Sequence, residues 1–554
     1  MSQTESAAAE PSHTVGATAP ALLEQTIGEN LAATVAANAD REALVVAHQD
    51  VRWTYAELAD RVDELARALL AAGFTTGDRV GIWAPNCAEW VLVQYATARL
   101  GIILVNINPA YRTHEVQYAL NQSGCRGLVA AETFKTSNYR AMVDEVRGEL
   151  PDLEHVYFLG TDSWSDLMAR SGDATSEQVQ AIEATLDRND PINIQYTSGT
   201  TGYPKGATLS HRNILNNAFF VGEGCGYTAE DRVCVPVPFY HCFGMVMGNL
   251  GCTTHGATIV VPADAFDPEA TLRVTAEERC TSLYGVPTMF IAMLAHPDFE
   301  SFDLEALRTG IMAGSPCPIE VMKQCIERMN MDEVTICYGM TETSPVSTQT
   351  ALDDPIDKRV ATVGRVHPHV EIKIVDPETG DVVPRGETGE FCTRGYSVMV
   401  GYWNDPERTG DAIDGDGWMH TGDLAVMDVD GYANIVGRIK DMIIRGGENV
   451  YPREIEEFLY GHPSIKDVQV IGVPDVKYGE EVMAWVQTEE GVTLTEDEVR
   501  EYCRGKIAHY KIPRYVAVTD EFPMTVTGKI QKFKLRDQAI EQLDLGEAAG
   551  IETA

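Results

Sequence analysis

The stretch YTSGTTGYPKG, Tyr196 to Gly206, gathers hydroxyls, glycines and an amine into one short loop. Thr197, Ser198, Thr200 and Thr201 offer hydroxyl donors, Gly199 and Gly202 let backbone amides approach an anion, and Lys205 adds positive charge. The chemistry these residue types point to is phosphate binding. A Walker-type loop is a different object, GxxxxGK followed by Ser or Thr, set between a strand and the helix whose N-terminus holds the phosphate. Here the lysine follows Pro204 and precedes Gly206, and the first helix cap within reach is Ser210. Glycine-rich loops are more often flexible surface loops than ligand sites, so the meaning of this one depends on the residues that accompany it.

Further chemistry-bearing segments follow along the chain. YGMTET sets Tyr338, Gly339, Met340, Thr341 and Glu342 side by side; TGDL presents Asp423; GRIKDMIIRGGENVYPREIE carries Arg438, Asp441, Gly446, Gly447 and Glu448; TVTGKIQK carries Lys529. Each has a plain structural reading: Asp423 closing a Gly-Asp turn, Glu342 a solvated charge, Lys529 an exposed tail lysine, and His241 of VPVPFYHCFG a satisfied core histidine. As an ordered set they closely resemble the signature motifs of the adenylate-forming (AMP-binding) superfamily, in its acyl-CoA synthetase branch, and are most similar to medium-chain acyl-CoA synthetases. The resemblance covers nearly the whole chain, from about residue 40 to residue 540.

That resemblance implies a division of labour. The Tyr196–Gly206 loop would grip the β- and γ-phosphates of ATP, Thr341 would contact the α-phosphate, and Glu342 would bind Mg²⁺. Asp423 would hold the ribose hydroxyls, with Arg438 as a second ribose or phosphate contact. Tyr338, Gly339, Gly314, Ser315 and Pro316 would complete the ATP site, the last three against adenine. Phe239, Tyr240, His241 and Met340 would line the acyl pocket. Lys529 would reach the substrate carboxylate and the α-phosphate, Asp441 would be a hinge, and Gly446, Gly447 and Glu448 would border a tunnel for the pantetheine arm of CoA.

The reaction implied makes sense of these types. A carboxylate is a poor acyl donor; attack on the α-phosphorus of ATP expels pyrophosphate and gives an acyl-adenylate with a good leaving group. Anions converge in that step, so positive charge and hydrogen-bond donors are the main catalytic device. A thiol then attacks the same carbonyl, and no side-chain nucleophile is required. FYHC stands where amino-acid-activating relatives place an aspartate, which disfavours an amino-acid substrate, and the pocket composition suits a fatty or aromatic acid. A fatty acyl-AMP ligase serving a carrier protein, an aromatic-acid CoA ligase and a non-catalytic nucleotide-binding scaffold are the alternatives, the last opposed by intact Lys529, Glu342, Asp423 and Arg438.

Several elements must position these residues. From Thr54, TYAELADRVDELARALLAAG has a capping threonine, apolar residues at helical spacing and a terminal glycine. Helical and apolar strand segments then alternate: CAEWVLVQYATARLG, IILVNI, HEVQYALNQSG, CRGLVAA, and later PINIQYTS, DRVCVPVPF and ATIVVPA. Short strands and Gly/Asp turns fill about 355 to 440, and a compact α+β unit follows. The expected fold is α/β: a large N-terminal domain of two α/β subdomains plus a β-rich subdomain, with a small mobile α+β C-terminal domain. The divisions expected are a disordered leader over 1–30, an AMP-binding domain over 31–440 and a lid domain over 441–545.

A chain of 554 residues exceeds what one core supports. Its net charge of −40 argues against nucleic-acid or anionic-membrane partners, so an anionic ligand must meet a locally positive pocket. The 12 cysteines form no CxxC pair, and with a leader that lacks arginine and an apolar core they point to a reducing cytoplasm. No apolar run reaches the roughly 20 residues of a membrane span. The partners expected are a small carboxylic acid, ATP and CoA, and a homodimer is compatible with this reading.

Overall fold

In a computed structural model the structure describes residues 10–197, 204–315, 317–445, 448–489, 491–525 and 529–545. Two largely parallel sheets form the bulk of the chain. One orders its strands Gly401–Tyr402, Lys205–Ser210, Pro191–Thr197, Ile103–Asn106, Arg79–Trp83, Gly127–Ala130 and His155–Phe158. In the other, Glu333–Gly339, Thr309–Ala313, Ser282–Gly285, Arg232–Cys234, Thr258–Val261 and Glu42–Val46 run parallel, with antiparallel strands at both edges. Parallel strands require crossovers, and the helices that supply them cover the sheet faces.

Local sequence explains the helix ends. Thr54 accepts from the Glu57 amide at 3.2 Å while Glu57 accepts from the Thr54 amide at 2.8 Å, closing a capping box at the start of Tyr55–Ala71; such a cap contributes about 1 kcal/mol. Past the other end, Gly73 takes φ +93°, a conformation open to glycine, and its amide returns to the Leu70 carbonyl. Ser210 caps His211–Gly224 as its sequence suggests.

A third, antiparallel sheet contains Val370–Val375, Thr388–Gly395, Met419–Met427 and Ala433–Arg438, with His13–Val15 on its edge. For residues 10–30, that edge strand corrects the disordered leader expected over 1–30. His13, Thr14 and Val15 pair with Lys373, Ile372 and Glu371, the Leu23 amide donates to Asn216 at 2.6 Å, and a helix starts at Ile27. Backbone bonding to an existing sheet orders a segment that its own side chains could not. A second difference is in DRVCVPVPF, where the strand stops at Cys234, because Pro236 and Pro238 have no amide to extend the ladder.

The C-terminal part has its own small core, in which Val468, Val470, Val482 and Ala484 are enclosed between a sheet and helices. Its strands Ile465–Asp475 and Gly479–Thr488 pair antiparallel, and Tyr515–Val518 joins the second in parallel. All 12 cysteines are free and buried. Among the described residues, no helix is long and apolar enough to cross a membrane.

Candidate active site

The three N-terminal sheets meet at the residues singled out above. Thr197 ends one parallel strand, Gly314 follows another, and Tyr338 and Gly339 end a third, so carboxyl ends of strands from two sheets converge, the usual place for a ligand crevice. The third sheet adds Asp423 and Arg438, which face each other across neighbouring strands.

At one end of the crevice, Arg438 Nε donates to Asp423 Oδ1 at 3.0 Å and the Tyr338 hydroxyl donates to Oδ2 at 2.8 Å. Burial, then the Asp423 charge, pushes the Tyr338 phenol well above its ordinary range, so it stays a donor. Asp423 is exposed by only 9%. It stands on a bulge: Cys392 pairs with His420 and Glu390 with Leu424, so Thr421, Gly422 and Asp423 face a single residue of the adjacent strand. Bulges re-aim side chains in this way.

At the other end, Glu342 lies in the short turn Thr341–Thr343, also buried. Its Oε1 accepts from Tyr402 at 2.8 Å and from Thr197 at 3.2 Å. The Lys205 ammonium sits 4.5 Å from the centre of the Tyr402 ring. A buried carboxylate met by two neutral hydroxyls, with an oxygen to spare, suits a hard divalent cation such as Mg²⁺. Gly339 is required beside it, since a Cβ there would lie 1.8 Å from the Pro345 carbonyl oxygen.

Lys529 comes from the C-terminal part. The Thr525 amide donates to the Lys529 carbonyl at 2.7 Å and the Lys529 amide to Thr525 Oγ1 at 3.0 Å, which fixes its backbone. A Cβ at Gly314, where φ is +91°, would lie 3.9 Å from Lys529 Cε. Burial and the Arg438 charge hold the lysine below its ordinary range, against the pull of Asp423, Glu342 and Cys242. The same ammonium and, first, burial push His241 down to about 3, which leaves a neutral ring whose Nδ1 accepts from the Phe243 amide at 3.3 Å.

The other candidates are placed unevenly. Phe239 is fully buried against Trp90, 5.7 Å between ring centres. The Tyr240 carbonyl accepts from Asn106. Met340 is partly buried and packs on the main core, and Ser315 is half-buried beside Gly314. Asp441 ends the short turn Ile439–Asp441 between the third sheet and the C-terminal strand Ile443–Arg445. Glu448 begins strand Glu448–Val450. Ser198, Gly199, Thr200, Thr201, Gly202, Pro316, Gly446 and Gly447 lie outside the described residues.

Three features were not read from the sequence. Tyr402 reaches Glu342 because Gly401–Tyr402 pairs with Lys205–Ser210, a contact between segments far apart in the chain. Lys440 adds another cation, held below its ordinary range by burial and then by Arg438. Phe243–Leu250, which Cys242 joins to His241, is a buried π-helix, a form frequent at functional sites.

The sequence profile of the AMP-binding enzyme family matches residues 31–403, and that of the AMP-binding enzyme C-terminal domain matches residues 454–529. YngI of Bacillus subtilis is 49% identical over 546 residues, 95% of this chain and 99% of YngI. The mitochondrial medium-chain acyl-CoA ligase ACSF2 of Danio rerio is 47% identical over 556 residues, 96% of this chain and 91% of its own. Among solved structures, the anthranilate CoA ligase AuaEII in complex with anthranoyl-AMP superposes with a TM-score of 0.85 at 28% identity, covering 94% of this chain and 98% of that one. With profiles, relatives, fold and site in agreement, the chain belongs to the AMP-binding enzyme family.

Proposed function

We propose that this protein is an ATP-dependent carboxylic acid:CoA ligase that activates a fatty acid, of medium chain length, through an acyl-adenylate. The observation that carries this reading is the approach of Lys529 to Gly314 and to the charges of Asp423 and Glu342. An ammonium on a flexible stem, shielded from water beside the crevice, can neutralise charge on both the acid and the α-phosphate as they join. The similarity to ACSF2, a medium-chain acyl-CoA ligase, supports a fatty substrate.

In this reading Asp423 orients the ribose while Arg438 and Tyr338 fix its carboxylate, and Thr341 meets the α-phosphate. The Thr197–Lys205 loop holds the departing pyrophosphate. Glu342 would hold Mg²⁺, which supplies charge neutralisation to the phosphates. Lys529 steadies the attacking carboxylate. After adenylation, rotation of the C-terminal part about Asp441 withdraws Lys529 and brings Gly446, Gly447 and Glu448 to the pantetheine path. Neutral His241, with Phe239, Tyr240 and Met340, borders the acid. The buried free cysteines suit a reducing cytoplasm.

The test is CoA consumption, with AMP and pyrophosphate release, over straight-chain acids of graded length and aromatic acids. A maximum at medium chain lengths is expected. Acid-dependent pyrophosphate exchange without CoA consumption would transfer the acyl group to a carrier protein instead, and absence of both would refute the ligase reading.

A further inference from the structure

Behind the bulge that carries Asp423 lies a group of side chains that adenylate chemistry does not use. Glu390 and Cys392 alternate along Thr388–Gly395 and so share a face, and His420 lies directly across from Cys392 on the neighbouring strand. His420 Nδ1 is 2.8 Å from Glu390 Oε2 and 3.5 Å from Cys392 Sγ, and one ligand atom from each of the three residues lies within 4.8 Å of the others. No other such set of three occurs among the described residues.

We propose that Glu390, Cys392 and His420 form a binding site for a Zn²⁺-class ion, with Asp414 orienting the His420 ring. Ligand atoms bonded to tetrahedral zinc at about 2.0–2.3 Å stand roughly 3.3–3.7 Å apart, so the sulfur–nitrogen pair already has the right spacing. The nitrogen–oxygen pair opens by about half an ångström when an ion replaces the proton between them. His420 Nε2 faces Asp414 Oδ2 at 3.6 Å. Before an ion binds, Glu390 Oε2 at 2.8 Å keeps the ring proton on Nδ1; when the ion takes that lone pair the proton passes to Nε2, on the side of the Asp414 carboxylate, the arrangement by which outer carboxylates support zinc-bound histidines. On binding, the Cys392 Sγ–H bond breaks, its proton passes to solvent, and the sulfur electron pair bonds the ion.

Charge balances at the site, since thiolate and carboxylate neutralise a divalent ion and imidazole adds none. Two cations lie nearby, Lys373 and Arg394, and each is stacked 4.4 Å from the Trp418 ring centre instead of on the ligand atoms. The side chains of His420 and Asp414 are exposed by 32% and 34%, which gives the ion a route from solvent and leaves a fourth position for water. Sulfur and nitrogen donors select a borderline ion over Mg²⁺, so working concentrations of Mg²⁺ do not compete. The site adjoins the Asp423 bulge: the other oxygen of Glu390 accepts from the Gly422 amide at 3.0 Å.

Full-length protein stripped with a chelator is titrated with Co²⁺ in Mg²⁺ buffer and followed by absorption. One equivalent is expected to bind with a thiolate-to-cobalt charge-transfer band that Zn²⁺ abolishes. Cys392→Ser removes the band, His420→Gln weakens binding, and Asp414→Asn keeps the band while lowering affinity about 10- to 100-fold. Cooperative thermal unfolding confirms that each variant is folded, and partly exposed His420 gives a second route should Cys392→Ser disturb packing. Absence of saturable binding, or a band that persists in folded Cys392→Ser, overturns the proposal and leaves a hydrogen-bonded pair bracing the bulge.

Discussion

At one end of the crevice Asp423 stands on a bulge of an antiparallel sheet, its two oxygens held by Arg438 and Tyr338; at the other, Glu342 stands in a short turn where the hydroxyls of Tyr402 and Thr197 meet it. Asp423 has its counter-charge on the adjacent strand, in the same sheet and in fixed register. Its geometry is therefore set before any ligand arrives. Glu342 has neutral donors as its direct partners; Lys205 stands behind Tyr402, and Lys529, whose charge it attracts, comes from the C-terminal part. Internal compensation suits recognition of an uncharged sugar. A carboxylate with neutral direct partners suits, on the function proposed above, a place where phosphate, a cation and Lys529 come together for reaction.

If that contrast holds, the largest losses arise at the Glu342 end and appear in turnover. Lys529→Ala should lower acid-dependent ATP–pyrophosphate exchange by about 10²–10³-fold, the size seen when one preorganised charge stabiliser is removed. Thioester formation from preformed acyl-adenylate should survive, and equal loss of both half-reactions would dissolve the distinction between a resident and a visiting charge. Glu342→Gln comes next. It keeps the shape that accepts from Tyr402 and Thr197 but removes the charge, so exchange should fall about 10²-fold and the Mg²⁺ concentration for half-maximal rate should rise. An unchanged Mg²⁺ dependence would take the cation away from Glu342.

How much of this was legible in the sequence differs between the two ends. Asp423, Arg438, Glu342 and Lys529 sit in segments whose resemblance, as an ordered set, to the motifs of AMP-binding enzymes implies phosphate and carboxylate chemistry. Helix ends were readable too, because Thr54, Ser210 and Gly73 act through neighbours a few residues away. Tyr402 was not, since an aromatic in GYWNDP gains its meaning only when Gly401–Tyr402 reaches Lys205–Ser210. That strand itself, and the edge strand His13–Val15, are fixed by backbone bonds to partners distant in sequence, and side-chain pattern is silent on those. The π-helix at Phe243–Leu250 is equally hidden, because its hydrogen-bond register leaves no mark on the order of apolar residues.

The smaller effects belong to the Asp423 end and should appear in binding. Asp423→Asn keeps the bulge but ends the charge-assisted bond to Arg438, worth about 1.5–3 kcal/mol, so ATP should bind about 10- to 100-fold more weakly by calorimetry. Nucleotide affinity left unchanged would remove Asp423 from the site. Tyr338→Phe is the gentlest break. It preserves the edge-on contact with Phe391, 5.0 Å between ring centres, and deletes only the hydroxyl that holds Asp423 Oδ2. A neutral donor of this kind contributes about 0.5–1.5 kcal/mol, so ATP affinity should fall about 2- to 10-fold while the exchange rate at saturating ATP stays close to that of the parent protein. A drop in saturated rate as large as that of Glu342→Gln would mean that Tyr338 and Asp423 act on the reacting phosphate, and the two ends of the crevice would then be one.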